Sequence, residues 1–338
     1  MQNEMANKHK VMNQSIVIRE YGASNVLKIE ENIINKPKKN ELLIRHTGIG
    51  INYHDIYVRS GLYKTLKLPG IPGCEGVGVI EEMGSKVENF KVGDRIVYIT
   101  SRYGAYSNYR LLDQELAVKI PKTINDGLLA TNFLRAMTIN MLLSNVAKVK
   151  SNQTIIVTGA SGGVGRLLCQ WASLIGVKVI GLVGDLNKVN DKNNFGCKHM
   201  LEYADNALIK KIMKFTEGKG VDFIFDSVGS NVFFNLIESI KICGHIVNYG
   251  QSSGSIKSFN MSLLSEKSLT ISRPILFHYI KNRENYVSMC KNSFTILKNN
   301  SLFFPQFEPY SLIDAHQVHD ILESRNGGGS LYLVPSIN

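Results

Sequence analysis

The 338-residue chain has no apolar run long enough to span a bilayer, no Cys-x-x-Cys pair and no tract of five to eight basic residues. The first absence excludes an α-helical membrane protein and points to a soluble one. The five cysteines, Cys74, Cys169, Cys197, Cys243 and Cys290, are odd in number and far apart, which excludes a disulfide framework and a knuckle-type zinc site. The opening "MQNEMANKHKVMNQ" lacks the apolar middle of a signal peptide, so residues 1–13 read as a flexible leader and the expected compartment is the cytoplasm. Lysine and arginine (39) outnumber aspartate and glutamate (28), giving a formal net charge of +11. Because these cations are scattered through segments such as "NKPKKN" and "KNRENY", a solvated basic surface is expected rather than a nucleic-acid site.

What is present is apolar residue in globular proportion, 44%, in a chain long enough for two domains. Up to about residue 120 the pattern is short β-type runs broken by turn residues: "SIVIREYG", "ELLIRHTGIGIN", "GVGVIEEMG", "DRIVYIT", "AVKIP". Gly93 and Asp94 in "VGDRIVY" suit a tight turn. Near residue 124 the period changes. Leu128, Leu129, Phe133, Met137 and Met141 fall on or near one helical face, with Asn125 or Asp126 placed to cap it. Strands and helices then alternate: "QTIIVTGA", "GRLLCQWASLIG", "VKVIGLVG", "LIKKIMKFTEG", "VDFIFDSVG", "VFFNLIESIK", "GHIVNYG", "SLTISR". That alternation predicts an α/β fold whose second domain is a doubly wound parallel sheet.

Between the first of those strands and its helix lies "GASGGVG", with Ala160, Gly162 and Gly165 at dinucleotide-fingerprint spacing. Glycines here let backbone approach a pyrophosphate, and a helix N-terminus offers it free N–H groups. Gly163 and Val164 complete the loop. About 20 residues on, where an NAD site carries an acid for the ribose hydroxyls, the chain has Gly184. The following "GDLNK" leaves room for a 2′-phosphate and offers Lys188 as counter-charge. NADPH is therefore the expected cofactor, with Asp185 leaving NADH open.

These residues, with "GINYHDIYVRSGLY" (50–63), "FDSVG" (225–229), "NYGQSSG" (248–254), "ISRP" (271–274) and "ILESR" (321–325), resemble the zinc-independent quinone oxidoreductases of the medium-chain dehydrogenase/reductase group from about residue 15 onward. The resemblance implies a GroES-like β-rich catalytic domain, 14–136 with 282–338, and a Rossmann dinucleotide-binding domain, 137–281, with the active site in the cleft between them. The zinc-using relatives place metal ligands where this chain has Asn52, Cys74 and Leu134. One thiol beside an amide and a leucine cannot supply three donors, so no metal is expected and Cys74 reads as a small packed residue. Glu75 reads as a structural partner.

The resemblance further implies that Asn52, Tyr57 and Tyr63 lie around the nicotinamide and the acceptor. It carries cofactor contacts to Asn52, Asp55, Thr138, Gly162, Gly163, Val164, Gly165, Gly184, Lys188, Tyr203, Ser227, Tyr249, Gly250, Gln251, Ser252 and Arg325. Arg325 is expected with Lys188 on the 2′-phosphate, and Tyr203 on the adenine side. Asn140 departs from the tyrosine usual there. His54 stands where relatives often carry an apolar residue and reads as a pocket variation, while His316 and His319, spaced for one helical face, read as solvent-facing. Without a Lewis acid, hydride transfer needs an acceptor that is already electron-poor, aligned and hydrogen-bonded at its developing oxyanion. The expectation is a cytoplasmic, homodimeric, NADPH-dependent quinone oxidoreductase. An NADPH-dependent alkenal or enone reductase is the enzymatic alternative, and a nucleotide-binding protein holding RNA on its basic surface the non-enzymatic one.

Overall fold

The computed structural model describes residues 11–189, 194–230, 232–324 and 330–335. Two compact units result: Met1–Leu134 with Asn282–Lys298 and Phe304–Asn338, and Arg135–Lys281 with Asn299–Phe303. Arg325, assigned above to the 2′-phosphate, lies outside the described residues.

The first unit is β-rich. Strands β1 (Val11–Val17) and β2 (Lys28–Ile34) pair antiparallel as a two-stranded sheet, so β1 starts inside the stretch expected to be a leader. β3 (Glu41–Gly50) leads into helix α1 (Tyr53–Arg59), followed by β4 (Glu75–Met83), β5 (Arg95–Ile99), β6 (Tyr109–Asp113) and β7 (Val118–Lys119). β3 is the axis of the larger sheet. It pairs with β4 along most of its length, with β6 over residues 41–45, and at Ile49 and Gly50 with a strand from the chain's far end. The alternation of apolar residues that marked β3, β4 and β5 becomes inward-facing Leu42, Ile44, Val77, Ile80, Ile96 and Tyr98, all essentially inaccessible to solvent. Each such side chain contributes about 1.5–3 kcal/mol by leaving water. Gly93 turns the β4–β5 hairpin at φ +87°, and Asp94 accepts a 3.0 Å hydrogen bond from Lys91 N.

Helix α2 (Asp126–Asn140) follows, with Asn125 Oδ1 accepting from Leu128 N at 2.7 Å, and continues as a π-helical turn over Met141–Val146. In the second unit come β8 (Thr154–Thr158), α3 (Gly163–Leu174), β9 (Lys178–Val183), β10 (His199–Glu202), α4 (Leu208–Phe215), β11 (Val221–Asp226), β12 (Ile240–Asn248) and β13 (Thr270–Ser272). They form one all-parallel six-stranded sheet in the order β10-β9-β8-β11-β12-β13. The order reverses beside β8, the strand carrying the glycine-rich loop, and such switch points are where open α/β sheets bind ligands. "VFFNLIESIK" forms less helix than its spacing predicts: one α turn, Phe233–Leu236, then a 3-10 turn, before β12 starts at Ile240.

The chain then supplies α5 (Arg283–Leu297), β14 (Glu308–Ser311), α6 (Ala315–Ser324) and β15 (Leu331–Val334), all in the first unit. β15 is the strand that pairs with the end of β3. Among the described residues no helix is long and apolar enough to cross a membrane.

Candidate active site

The second unit builds a candidate nucleotide site mainly from backbone. β8 is buried and ends at Gly159, whose φ of +63° lies in the left-handed region that favours glycine. Gly162 precedes α3 without a side-chain cap, so the first N–H groups of α3 are left to an external acceptor. Gly165 is required by close approach: a Cβ there would stand 2.1 Å from Gly159 O. Gly163 abuts the guanidinium of Arg135, which is 8% exposed and places a cation beside the positive end of a helix. Tyr203, from the far end of β10, reaches this loop and accepts a hydrogen bond from Gly159 N. A glycine-rich loop leading into uncapped helix N–H groups, with a cation beside it, fits a diphosphate.

At the end of β9, nothing stands within 4 Å of a Cβ built on Gly184. Lys188 closes the 3-10 turn Leu186–Lys188 that follows. Asp185, whose charge opposes a phosphate, turns its carboxylate into that turn and accepts from Asn187 N at 2.9 Å. Glu202, which the sequence reading missed, accepts from Leu186 N at 2.7 Å. Both acids are thus engaged in shaping the turn.

Beyond β11 the remaining predicted contacts adjoin. Ser227 donates N–H to Thr158 Oγ1 at 2.9 Å and Oγ–H to Thr158 O at 3.1 Å, and Ser252 N donates to Ser227 O at 3.1 Å. Tyr249 N and Gly250 N both donate to Asp226 O. Burial pushes the Tyr249 phenol pKa up, opposed by Ser227 beside it. Asp226 is inaccessible and accepts from Thr158 Oγ1 (2.8 Å) and Asn248 Nδ2 (2.7 Å). Arg273, also missed, donates to Asn248 Oδ1 and to Gln251 Oε1, fixing Gln251. Thr138 is partly exposed in the last turn of α2, just before the π turn, whereas Asn140 is buried.

The first unit carries a separate set of side-chain networks around α1. Asn52 is the N-cap of α1, and its Nδ2 donates to Glu75 Oε2 at 3.0 Å. Glu75 Oε1 accepts from Leu134 N at 2.6 Å. Of the three positions where zinc-using relatives hold metal, two are therefore joined through this buried carboxylate. The third, Cys74, is inaccessible, and burial raises its thiol pKa well above the ordinary value, with Asp55 and Glu75 adding to the effect. It is a packed thiol. Among the described residues, no three His, Cys, Asp or Glu side chains are grouped to hold a metal ion.

Asp55, expected at the cofactor, lies within the first turn of α1. Its side chain is inaccessible: Oδ2 accepts from Asn52 N at 2.9 Å and from Tyr106 OH at 3.4 Å, and burial raises its pKa to about 7. It is the N3 acid of the α1 capping box and holds Asn52 by its backbone. Tyr106 OH also meets His319 Nε2 at 2.9 Å, and His319 Nδ1 lies 3.4 Å from Arg59, which pairs with Glu323 at 2.9 Å. His319 therefore corrects the solvent-facing reading: it is fully buried, and burial beside Arg59 lowers its pKa to about 3. His316 is partly exposed. Tyr57 and Tyr63 pack edge to face, 5.1 Å between ring centroids, and both are partly exposed with His54 beside them.

Comparison with known proteins gives two family models, the alcohol dehydrogenase GroES-like domain over residues 38–122 and the zinc-binding dehydrogenase over 163–292. The chain is 33% identical to quinone oxidoreductase 1 of Escherichia coli (strain K12), over 95% of this chain and 99% of that one. It is 31% identical to a 2-haloacrylate reductase of a Burkholderia species, over 96% and 99%. Among solved structures, Escherichia coli quinone oxidoreductase complexed with NADPH superposes with a TM-score of 0.90 at 34% identity, covering 95% of this chain and all of that one.

Proposed function

The chain belongs to the quinone oxidoreductases of the medium-chain dehydrogenase/reductase superfamily, and from that premise we propose that it reduces quinones with NADPH without zinc. The observation that carries the reading is the Glu75 carboxylate joining Asn52 to Leu134. A catalytic zinc needs three protein donors, whereas this arrangement presents an amide, a backbone N–H and a thiol kept protonated by burial. It holds Asn52 in place instead. One Nδ2 hydrogen is committed to Glu75, and the second is free in valence to donate to an acceptor oxygen. Tyr57 and Tyr63 add phenolic donors on the accessible face of α1 and its following loop.

NADPH, when bound, supplies the hydride. The loop Gly159–Gly165 and the first turn of α3 hold its diphosphate, with Lys188 and Arg325 on the 2′-phosphate and Tyr203, Ser227 and the segment Tyr249–Ser252 along the nucleotide. Thr138 and Asn52 serve the nicotinamide side. Asp55 acts one step back, as the cap that orients Asn52. The quinone takes one hydride and one proton to give the hydroquinone, and the partly exposed phenols connect its oxygen to solvent for that proton. The protein works in the cytoplasm as a homodimer, whose second copy pairs along the open edge of β13.

The test is NADPH and NADH oxidation followed at the nicotinamide absorbance, with a small quinone or an enone as acceptor. Turnover with quinone and preference for NADPH are expected. Turnover with the enone alone would favour the second reading, which the similarity to 2-haloacrylate reductase supports.

A further inference from the structure

α1 has two faces. Asp55, Ile56, Val58 and Arg59 are buried, while Asn52, Tyr53, His54 and Tyr57 are partly exposed. On that accessible face His54 Nε2 lies 3.0 Å from Tyr103 OH, with the two rings stacked 5.9 Å apart at 14°. Tyr103 OH in turn lies 2.5 Å from Thr65 Oγ1. Thr65 is two residues beyond Tyr63, whose ring stands between His54 (5.7 Å) and Tyr57 (5.1 Å) and whose N–H donates to Tyr57 O at 2.9 Å.

From this geometry we infer that Thr65, Tyr103 and His54 staple the loop carrying Tyr63 onto α1, and that the staple sets acceptor preference in favour of a flat, one-ring quinone. The inference rests on the acceptor reading above. Three observations carry it. The hydrogen bonds run from the loop, through a turn forty residues further along the chain, to the helix that presents Asn52 and Tyr57, so they fix Tyr63 relative to those residues. Tyr103 adopts φ +48° although it is not glycine, and strained backbone of this kind persists where the surroundings demand one placement of a side chain. Tyr103 is also 3% exposed, so its phenol is not a solvent-facing group that meets His54 by chance.

The proton order is consistent. His54 stays neutral near pH 7, because burial lowers its pKa to about 4, so Nε2 can accept from Tyr103, leaving the Tyr103 oxygen to accept from Thr65. The partly exposed rings of Tyr57, Tyr63 and His54 that the staple holds together offer a face for stacking an aromatic acceptor, with Tyr103 buried behind them. A linear alkenal gains little from such a face.

The staple makes Thr65, Tyr103 and His54 positioning residues, and its test separates position from stability. The parent, Tyr103→Phe, Thr65→Val and the double variant are assayed with NADPH against a one-ring quinone and a straight-chain alkenal, alongside thermal melting and NADPH binding. Tyr103→Phe keeps the ring and loses only the hydroxyl. The expected result is a rise of about five-fold in quinone KM, as for loss of one hydrogen bond, with kcat and NADPH affinity within about two-fold and a falling quinone-to-alkenal ratio of kcat/KM. Thr65→Val shifts the ratio in the same direction, and the double variant is no worse than Tyr103→Phe, because both break one chain. Should Tyr103→Phe fold poorly, Thr65→Val, at an exposed position, carries the test. An unchanged quinone KM, or equal losses with both acceptors, overturns the staple. Absence of turnover by the parent with either acceptor overturns the acceptor reading itself, and the staple with it.

Discussion

The two units build their candidate sites from opposite materials. In the second unit the nucleotide loop is shaped by atoms that are missing: Gly165 has no Cβ where one would stand 2.1 Å from a carbonyl oxygen, and Gly184 leaves open space. In the first unit the candidate acceptor site is shaped by polar side chains that meet, Glu75 with Asn52, and Tyr106 with both Asp55 and His319. Each unit is therefore vulnerable in its own way. A backbone cradle fails when any bulk is added, whereas a side-chain network fails when a partner is removed or its charge changes.

Adding bulk has the largest expected effect. Gly165→Val drives a side chain into the backbone of Gly159 and Ala160, so NADPH affinity should fall by about 100-fold or more and the melting temperature should fall with it; a fluorescence titration of NADPH beside a thermal melt checks this. Removing a network partner comes next. Glu75→Ala strands the Asn52 amide and the Leu134 N–H, and should cost about 2–4 kcal/mol in a urea melt while NADPH affinity falls far less than in Gly165→Val. If instead NADPH affinity fell as far as in Gly165→Val and stability held, the contrast between the two units would be wrong.

A single charge on the nucleotide side has a smaller effect. Lys188→Ala should weaken NADPH about ten-fold and NADH by no more than about two-fold, whereas equal losses would remove Lys188 from the 2′-phosphate. The smallest effect sharpens the electrostatics of the acceptor side. Asp55 has its pKa raised from 3.8 to about 7, so the stability it contributes is full below pH 3.8 and is lost as pH rises through 7. Asp55→Asn keeps an oxygen for Asn52 N without titrating. Its melting temperature relative to the parent should therefore climb by a few degrees from about pH 4 to about pH 7 and then level off. A difference independent of pH would show that Asp55 is not protonated in the native protein.

The same contrast explains what the sequence discloses. The glycine-rich loop is legible because its chemistry depends on residue type at short spacing directly after a β-branched strand. The parallel sheet is legible for a similar reason, since its strands and helices alternate along the chain. Arg273 and Glu202 are not, because their partners come together only through strand order: Arg273 reaches Asn248 and Gln251 from the loop after β13, and Glu202 reaches the Asp185 turn from β10. His319 shows a second limit. Helical spacing places it near His316 but cannot say that its side of α6 turns inward to Tyr106 and Arg59. Asp55 shows a third, since an acid three residues after an N-cap can serve the helix instead of a ligand. Tyr103 lies in a turn between strands, and nothing near it in the chain signals that its hydroxyl meets His54 and Thr65.

The central claim is that an amide and phenols, with no metal, suffice on the acceptor side. The most direct measurement is kcat/KM for NADPH oxidation with a one-ring quinone, before and after exhaustive chelation and again with zinc restored. The account predicts values that agree within about two-fold across all three. A loss of more than about ten-fold on chelation, recovered with zinc, would contradict it.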